Sequence, residues 1–425
     1  MELTKTKFKQ TEIGLIPTDW ETCSFSDLAD KNVKWSITGG PFGSNLKTSD
    51  YTSEGIQIIQ LQNIGDGIFH DENQIYTSEQ KANELRSCNI YPNEIILSKM
   101  GDPVARACFV PKKAKRYLMA SDGIRLVIDE MQFDKYFVFS YINSKYFRNK
   151  AIEVSTGSTR QRIGLPKLKS IKLIKPTLTE QKAIANALSD VDEMISKLEK
   201  LIEKKKAIKQ GAMQHLLTPK NDWKEYSILE LADNRKDLFD DGDWIEAEHI
   251  TDSGIRLIQT GNIGVGVFKD KDSKKYIYEE SFNRLHCKLL NAGDILICRL
   301  AEPAGRVCIF PEIEDKKSIT SVDVTIFRPI VGKVNRVFLM NILSTSEWFK
   351  QVTERVGGTT HKRISRGSLG KLKIKLPNIE IQNASAIILS DIDSDIKACE
   401  KSKWKMEKIK QGMMQELLTG KTRLF

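Results

Sequence analysis

The chain is short of several things that proteins with a chemical centre or a membrane anchor need. No apolar run in its 425 residues approaches the roughly 20 residues that a membrane helix requires. Histidine is scarce: His70, His215, His249, His286 and His361 are all there are, and none stands with cysteines at finger-like spacing, which argues against a structural zinc site. The seven cysteines (Cys23, Cys88, Cys108, Cys287, Cys298, Cys308, Cys399) are odd in number and contain no C-x-x-C pair. With no leader-like segment, that pattern predicts a reducing, cytoplasmic setting rather than a disulfide framework. There is no G-x-x-x-x-G-K-[ST] phosphate loop and no G-x-S-x-G elbow. Gly65-x-Gly67 and Gly264-x-Gly266 lead into β-like sequence, so they read as turns, and Glu203-Lys204-Lys205 lies on a heptad-patterned stretch as a solvated charge run. Neither a catalytic centre nor a bound metal or cofactor is expected.

What the chain does have is cationic charge: 66 Lys and Arg against 56 Asp and Glu, a net charge of +10. Such a surplus suits a polyanion, whose condensed counterions are released as phosphates are neutralised. A merely basic soluble protein would show the same balance.

The more telling feature is duplication. Trp20 and Leu28-Ala29-Asp30 return as Trp223 and Leu231-Ala232-Asp233, an offset of 223 − 20 = 203. GIQIIQLQNIGDGIF (Gly55 to Phe69) returns as GIRLIQTGNIGVGVF (Gly254 to Phe268), offset 199 from 254 − 55. EIILSKMGDPVARACFVP (Glu94 to Pro111) returns as DILICRLAEPAGRVCIFP (Asp294 to Pro311), and KQGAMQHLLT (Lys209 to Thr218) as KQGMMQELLT (Lys410 to Thr419). Near-constant offsets over the whole length mean one duplicated module large enough for its own core, not a solenoid of short repeats.

Each module has a β-rich first part, with short runs such as GIQIIQLQNI and EIILSKM between Gly, Asn and Asp turns and one or two helices between Phe133 and Val154. The second part reads as a long helix. Thr179 and Glu180 supply a hydroxyl acceptor and an acidic first turn. Apolar residues then recur three and four apart: Leu188, Val191, Ile195, Leu198 and Ile202 in the first copy; Leu389, Ile392, Ile396 and Cys399, then Met406, Ile409, Met413 and Leu417 in the second. This is a coiled-coil seam on helices of roughly 57 Å, from about 38 residues at 1.5 Å each. The predicted architecture is α+β: two globular mixed α/β, mostly β domains (1–177 and 219–377) alternating with two long helices (178–218 and 378–425) that pair as an antiparallel coiled coil. An approximate two-fold would then relate the globules, matching paired readers on duplex DNA spaced by about one turn, ~34 Å, or multiples of it.

Candidate recognition residues are polar groups in equivalent loops. Gln60 and Gln259 share a position, as do Asn63 and Asn262, and such amides pair with adenine edges; alternatively the asparagines bond their own Gly-rich turn. Where the copies diverge, Leu61-Gln62 faces Thr260-Gly261 and Ser98-Lys99 faces Cys298-Arg299, as expected for readers of unlike sites. Gln62, Lys99, Arg256, Thr260 and Arg299 therefore join the candidates. Arg106 and Arg306 suit phosphate or guanine, or else satisfy loop carbonyls. The loops STGSTRQRI (Ser155 to Ile163) and VGGTTHKRI (Val356 to Ile364) pack glycines, hydroxyls and basic groups before an apolar run. That composition suits phosphates and nominates Thr159, Arg160, Gln161 and Arg162, with Thr360, His361, Lys362 and Arg363. Lys204-Lys205-Lys206, interleaved with glutamates, reads as a solvated face.

These features together resemble the specificity subunit of type I restriction–modification enzymes over essentially the whole chain. The opening FKQTEIGLIPTDWE, the segment PFGSNLKTSDY before GIQIIQLQNIGDG, and the paired helices closed by LLTPK or LLTGK carry the likeness. Ser44, Asn45 and Lys47 of the second of these segments are further DNA-contact candidates. The resemblance implies two target-recognition domains reading the halves of a split, asymmetric DNA site, with the helices setting the unread spacer and docking two methyltransferase subunits and, through them, restriction and translocase subunits. S-adenosylmethionine, ATP and magnesium would then belong to those partners. The second helix opens IEIQNASAIILSDID rather than TEQKAIANALSDVD, and the second globule lacks a PFGSNLKTSDY segment, so unequal docks and a different second target are expected. The competing expectation is a coiled-coil scaffold that binds proteins and has no DNA specificity.

Overall fold

A computed structural model describes residues 7–157, 160–300, 302–358 and 362–424. The chain divides into two compact units: residues 1–200 with 401–425, and residues 201–400. Each unit therefore holds one β-rich domain together with half of each long helix.

In the first unit the strands Ile37–Gly39, Gly123–Leu126, Ile95–Ser98 and Ala107–Phe109 form an antiparallel sheet. The second unit repeats it with Phe239–Asp241, Val324–Phe327, Ile295–Cys298 and Arg306–Ile309. A second sheet in each unit is built around a parallel pair, Ile56–Ile59 with Tyr117–Met119 and Ile255–Ile258 with Ser318–Thr320. Its central strands are mostly buried, Gln57 and Arg256 included, because both faces are covered. The Phe133–Val154 region forms two helices, Lys135–Ile142 and Lys145–Glu153, each started by a side-chain cap from Asp134 or Ser144. Arg336–Ile342 and Ser346–Thr353 are their counterparts, capped by Asn335 and Thr345. Trp20 and Trp223, paired by the repeat, are buried in the two main cores.

The long helices run Leu178–Leu217 and Ile379–Leu417. The residue that caps the first is Thr177, not Thr179: its hydroxyl accepts from the Glu180 amide at 3.3 Å, as the Asn378 side-chain Oδ1 accepts from the Ile381 amide in the second. A buried glutamine fixes each helix to its domain. Gln181 donates to the Pro176 carbonyl and accepts from the Asp134 amide; Gln382 does the same with Pro377 and Asn335.

Within each unit the helix segments pair antiparallel. In the first, Asp192 meets Lys410 at 2.6 Å and Glu199 meets Lys403 at 2.8 Å. In the second, Asp393 meets Lys209 and Asp395 meets Lys205, both at 2.6 Å. The Asp192–Lys410 and Asp393–Lys209 pairs are one interaction written twice with the helices exchanged. Leu188, Val191, Ile202, Leu389, Ile396 and Leu417 are buried, and Ile195, Leu198, Ile392, Cys399, Met406 and Met413 half-buried. Ile409 departs from the expected seam, being 48% exposed. Each helical residue advances about 100°, and Lys410 takes the inward position instead, held by Asp192.

Candidate nucleic-acid interface

The two basic loops are tied to their domains in the same way. Arg162 bridges to Met100 and Thr156, and Arg363 to Leu300 and Gly357, so the described ends of each loop pair in a β-like way beside the first sheet. The Ile163 amide bonds the Lys99 carbonyl at 2.9 Å and the Ile364 amide bonds the Arg299 carbonyl at 3.0 Å. The arginine at each of these pairings faces one carboxylate: Arg162 to Asp122 at 2.9 Å and Arg363 to Asp323 at 3.0 Å. Both guanidiniums stay partly exposed, so they are oriented without being withdrawn from solvent. Arg160 and Lys362 are exposed and Gln161 half-buried beside them. Thr159, Thr360 and His361 lie outside the described residues.

In the first domain Asp122, the partner of Arg162, lines a concavity of about 310 Å³ together with Phe42, Gly43, Leu46, Gln60, Gln62 and Ser121, among others. Gln62 Nε2 donates to the Gln60 side-chain Oε1 at 3.0 Å, and both amides line the concavity. Lys99 reaches the Ser121 carbonyl at 2.9 Å; burial, with Arg162 nearby, holds its ammonium below the usual lysine range. Ser44, Asn45 and Lys47 are exposed on the adjoining loop. Gln259 and Thr260 are half-buried at the equivalent position of the second domain.

Five candidates change standing on structural grounds. Asn63 and Asn262 are buried, and their amides close the turn: each accepts from the backbone of Gln60 or Gln259 and donates to His70 or Lys269. They shape the loop, and no free edge remains to face a base. Arg256 is buried and spent on Asp270 at 3.1 Å and the Lys275 carbonyl. Its counterpart Gln57 donates to Asp71, which is paired with Lys113, so the equivalent carboxylate is met by a strand cation in one copy and by an amide and a loop lysine in the other. Arg299 is buried against Asp241 at 2.9 Å and the carbonyls of Val322 and Ile364. Burial raises the Asp241 carboxyl pKa even with Arg299 beside it. Arg306 donates to the carbonyls of Ile263, Glu302, Pro303 and Thr260, the loop-bracing alternative. Arg106 is half-buried, with its Nε lacking a hydrogen-bond partner among the described residues.

The sequence reading missed an exposed aromatic in each domain, Phe42 and Trp244. It also missed a local difference in charge: in the first domain Lys99 and Arg162 share Asp122, whereas in the second Arg299 and Arg363 have Asp241 and Asp323. The signal was the substitution of Gly39 by Asp241 at equivalent strand positions, opposite Ile124 and Thr325. Among the described residues no group of acidic, histidine or cysteine side chains is disposed to hold a metal ion, and no helix is long and apolar enough to cross a membrane.

Two equivalent β-rich domains with a basic edge, carried on one helix pair, define a duplicated recognition module rather than a single binding pocket. The comparisons give that module its family. The model of the type I restriction modification DNA specificity domain matches residues 17–210 and again 220–407, and the chain belongs to that family. It is 26% identical to the type I restriction enzyme MjaVIII specificity subunit of Methanocaldococcus jannaschii, covering 98% of this chain and 96% of the relative. A second subunit of that organism, the putative MjaX specificity subunit, is also 26% identical over 98% of this chain and 97% of its own length. Among solved structures, the S subunit of a type I system from M. genitalium aligns over 97% of this chain and 99% of its own, with a TM-score of 0.57 at 17% identity.

Proposed function

We propose that the chain is the DNA-reading subunit of a type I restriction–modification complex, each domain recognising one half of a bipartite, asymmetric duplex site. The observation that carries this reading is the repeated edge. Arg162 on Asp122 and Arg363 on Asp323 occupy one position in two copies whose neighbouring tips differ, Gln62 against Gly261. A shared anchor for phosphates with divergent residues for base edges is what reading two unlike half-sites requires. The chain contributes recognition, and methyl transfer and cleavage fall to partner subunits that carry S-adenosylmethionine, ATP and magnesium.

The helices supply the dock. In the first unit Met194 and Trp404, and in the second Ile208, Ile387 and Ile388, are exposed apolar side chains on the helix pair. Exposed apolar residues on these helices are candidates for an interaction site, and methyltransferase subunits are the partners proposed to cover them. Mapping methylated adenines genome-wide, with and without this gene, tests the reading. A split motif that vanishes with the gene is expected; an unchanged methylation map contradicts it.

A further inference from the structure

Phe42 is 82% exposed and Trp244 67% exposed, and the two are the same residue of the repeat. Each stands two positions after a glycine that ends the first strand of its main sheet. The Gly40 amide bonds the Gly123 carbonyl and the Gly242 amide bonds the Val324 carbonyl, both at 2.8 Å. A Cβ at Gly40 would overlap the Ala120 carbonyl oxygen, and one at Gly242 those of Thr320 and Ser321. Glycine is therefore required at both places by the close approach of the neighbouring chain. It launches a loop outward from the same point of each fold.

The loops then differ. The first runs from Pro41 to Lys47 before the short helix Thr48–Asp50; the second goes from Asp243 to Glu246 before Ala247–His249. Little of the sequence survives between the copies here, yet an outward aromatic does. Core packing does not explain that, since neither ring is in a core cluster. The surroundings point to a ligand. Phe42 forms one wall of the concavity that contains Gln60, Gln62 and Asp122, and Asp122 is the residue that holds Arg162. Asp243, next to Trp244, bridges to Ser321, two residues from the Asp323 that holds Arg363. In the first domain an exposed ring, two amides and the carboxylate that holds a half-exposed arginine line one concavity, which matches the chemistry of a nucleobase: an apolar face, a polar edge and a phosphate alongside.

We propose that Phe42 and Trp244 are specificity-determining contacts to DNA, each ring packing against the face of a base, at a base step, in the half-site read by its own domain. The inference rests on the DNA-reading function proposed above and goes beyond it by naming residues that neither charge nor the basic loops indicate. Apolar side chains packed on base steps bind through unstacking, and stacking on a base is worth roughly 5- to 150-fold in affinity when the ring is removed.

The test uses the chain assembled with its methyltransferase and a duplex carrying the motif that the wild-type complex methylates. Phe42→Ala and Trp244→Ala are each expected to weaken binding by about 5- to 150-fold and to relax preference in one half of the motif only, the two variants affecting opposite halves. Phe42→Tyr and Trp244→Phe are expected to keep affinity and motif, while Phe42→Leu is not. The rings are exposed, so circular dichroism and co-purification of the methyltransferase should be unchanged. Full affinity in both alanine variants, while Arg162→Ala still binds weakly, would overturn the aromatic contact and leave DNA reading intact. Equal losses in the tyrosine and leucine variants, or loss of the methyltransferase instead of DNA, would also overturn it. Absence of any sequence preference in the wild-type complex would instead remove the underlying function.

Discussion

Arg423 forks onto both carboxylate oxygens of Asp19 at 3.0 and 2.8 Å, joining segments 404 residues apart within one unit. The same guanidinium bonds Glu180 at the start of the first long helix, and Glu180 accepts from the Trp20 indole at 2.7 Å. Glu180 is 2% exposed and thus depends on these two donors. In the second unit Ile381 stands where Glu180 does, and the Trp223 indole nitrogen is buried without a hydrogen-bond partner among the described residues.

Arg423→Ala strands the buried Glu180 carboxylate with only the indole donor. Breaking a buried pair from one side costs about 3–5 kcal/mol, and the retained Trp20 bond reduces that to about 2–3 kcal/mol. Thermal or urea unfolding of the purified chain should register the loss. Substitutions of Lys421, exposed on the same tail, should have little effect.

Acid weakens the same clasp. Arg423 holds the Asp19 carboxyl below its usual value of 3.8, mainly through the side-chain hydrogen bond. A depressed carboxylate contributes stability that is full above its unfolded pKa and disappears as pH falls through the folded value. The stability difference between wild type and Arg423→Met should therefore be constant near neutrality and shrink below about pH 4. Asp19 is half exposed, so its share is modest and should be reduced by salt.

The seam separates positions that look alike in sequence. Leu188→Ala, in a fully buried site, should cost about 2–5 kcal/mol. Ile409→Ala should stay within about 0.5 kcal/mol for the isolated chain, since that side chain faces solvent. Chemical denaturation of the two variants checks the contrast; equal losses would restore Ile409 to the helix interface.

How far the sequence could be read depended on whether a feature is periodic. Duplication and long helices repeat on scales that survive single substitutions, so both were legible. Ile409 was misplaced because a three–four pattern tolerates either 409 or 410 as the inward residue, and only the Asp192 partner decides. Arg256 and Arg299 looked like exposed cations because the carboxylates that bury them, Asp270 and Asp241, are 14 and 58 residues away. The divergence of 99 from 299 was taken as a difference between two base readers. In the second copy it is instead an internal ion pair made possible by Asp241. Phe42 and Trp244 were overlooked because their loops differ in length, and only the glycine before each aligns them.

The thiols offer an independent check on burial. Burial pushes Cys23, Cys108 and Cys308 up to about 12 and Cys287 to about 11, and raises Cys88 and Cys298. Cys399 alone is half-buried rather than buried, on the second long helix. A thiol reagent at neutral pH should label Cys399 first and the other six only on unfolding. Rapid labelling of several native thiols would contradict the cores described.

A role for the helix pair in setting the number of unread base pairs between the two half-sites follows from the proposed function. Its most direct measurement is the methylation motif of a variant with four residues inserted after Lys200, in the first long helix, assembled with its methyltransferase. Unchanged half-sites and an altered number of unread base pairs between them are expected. Altered half-sites with the original spacing would contradict it.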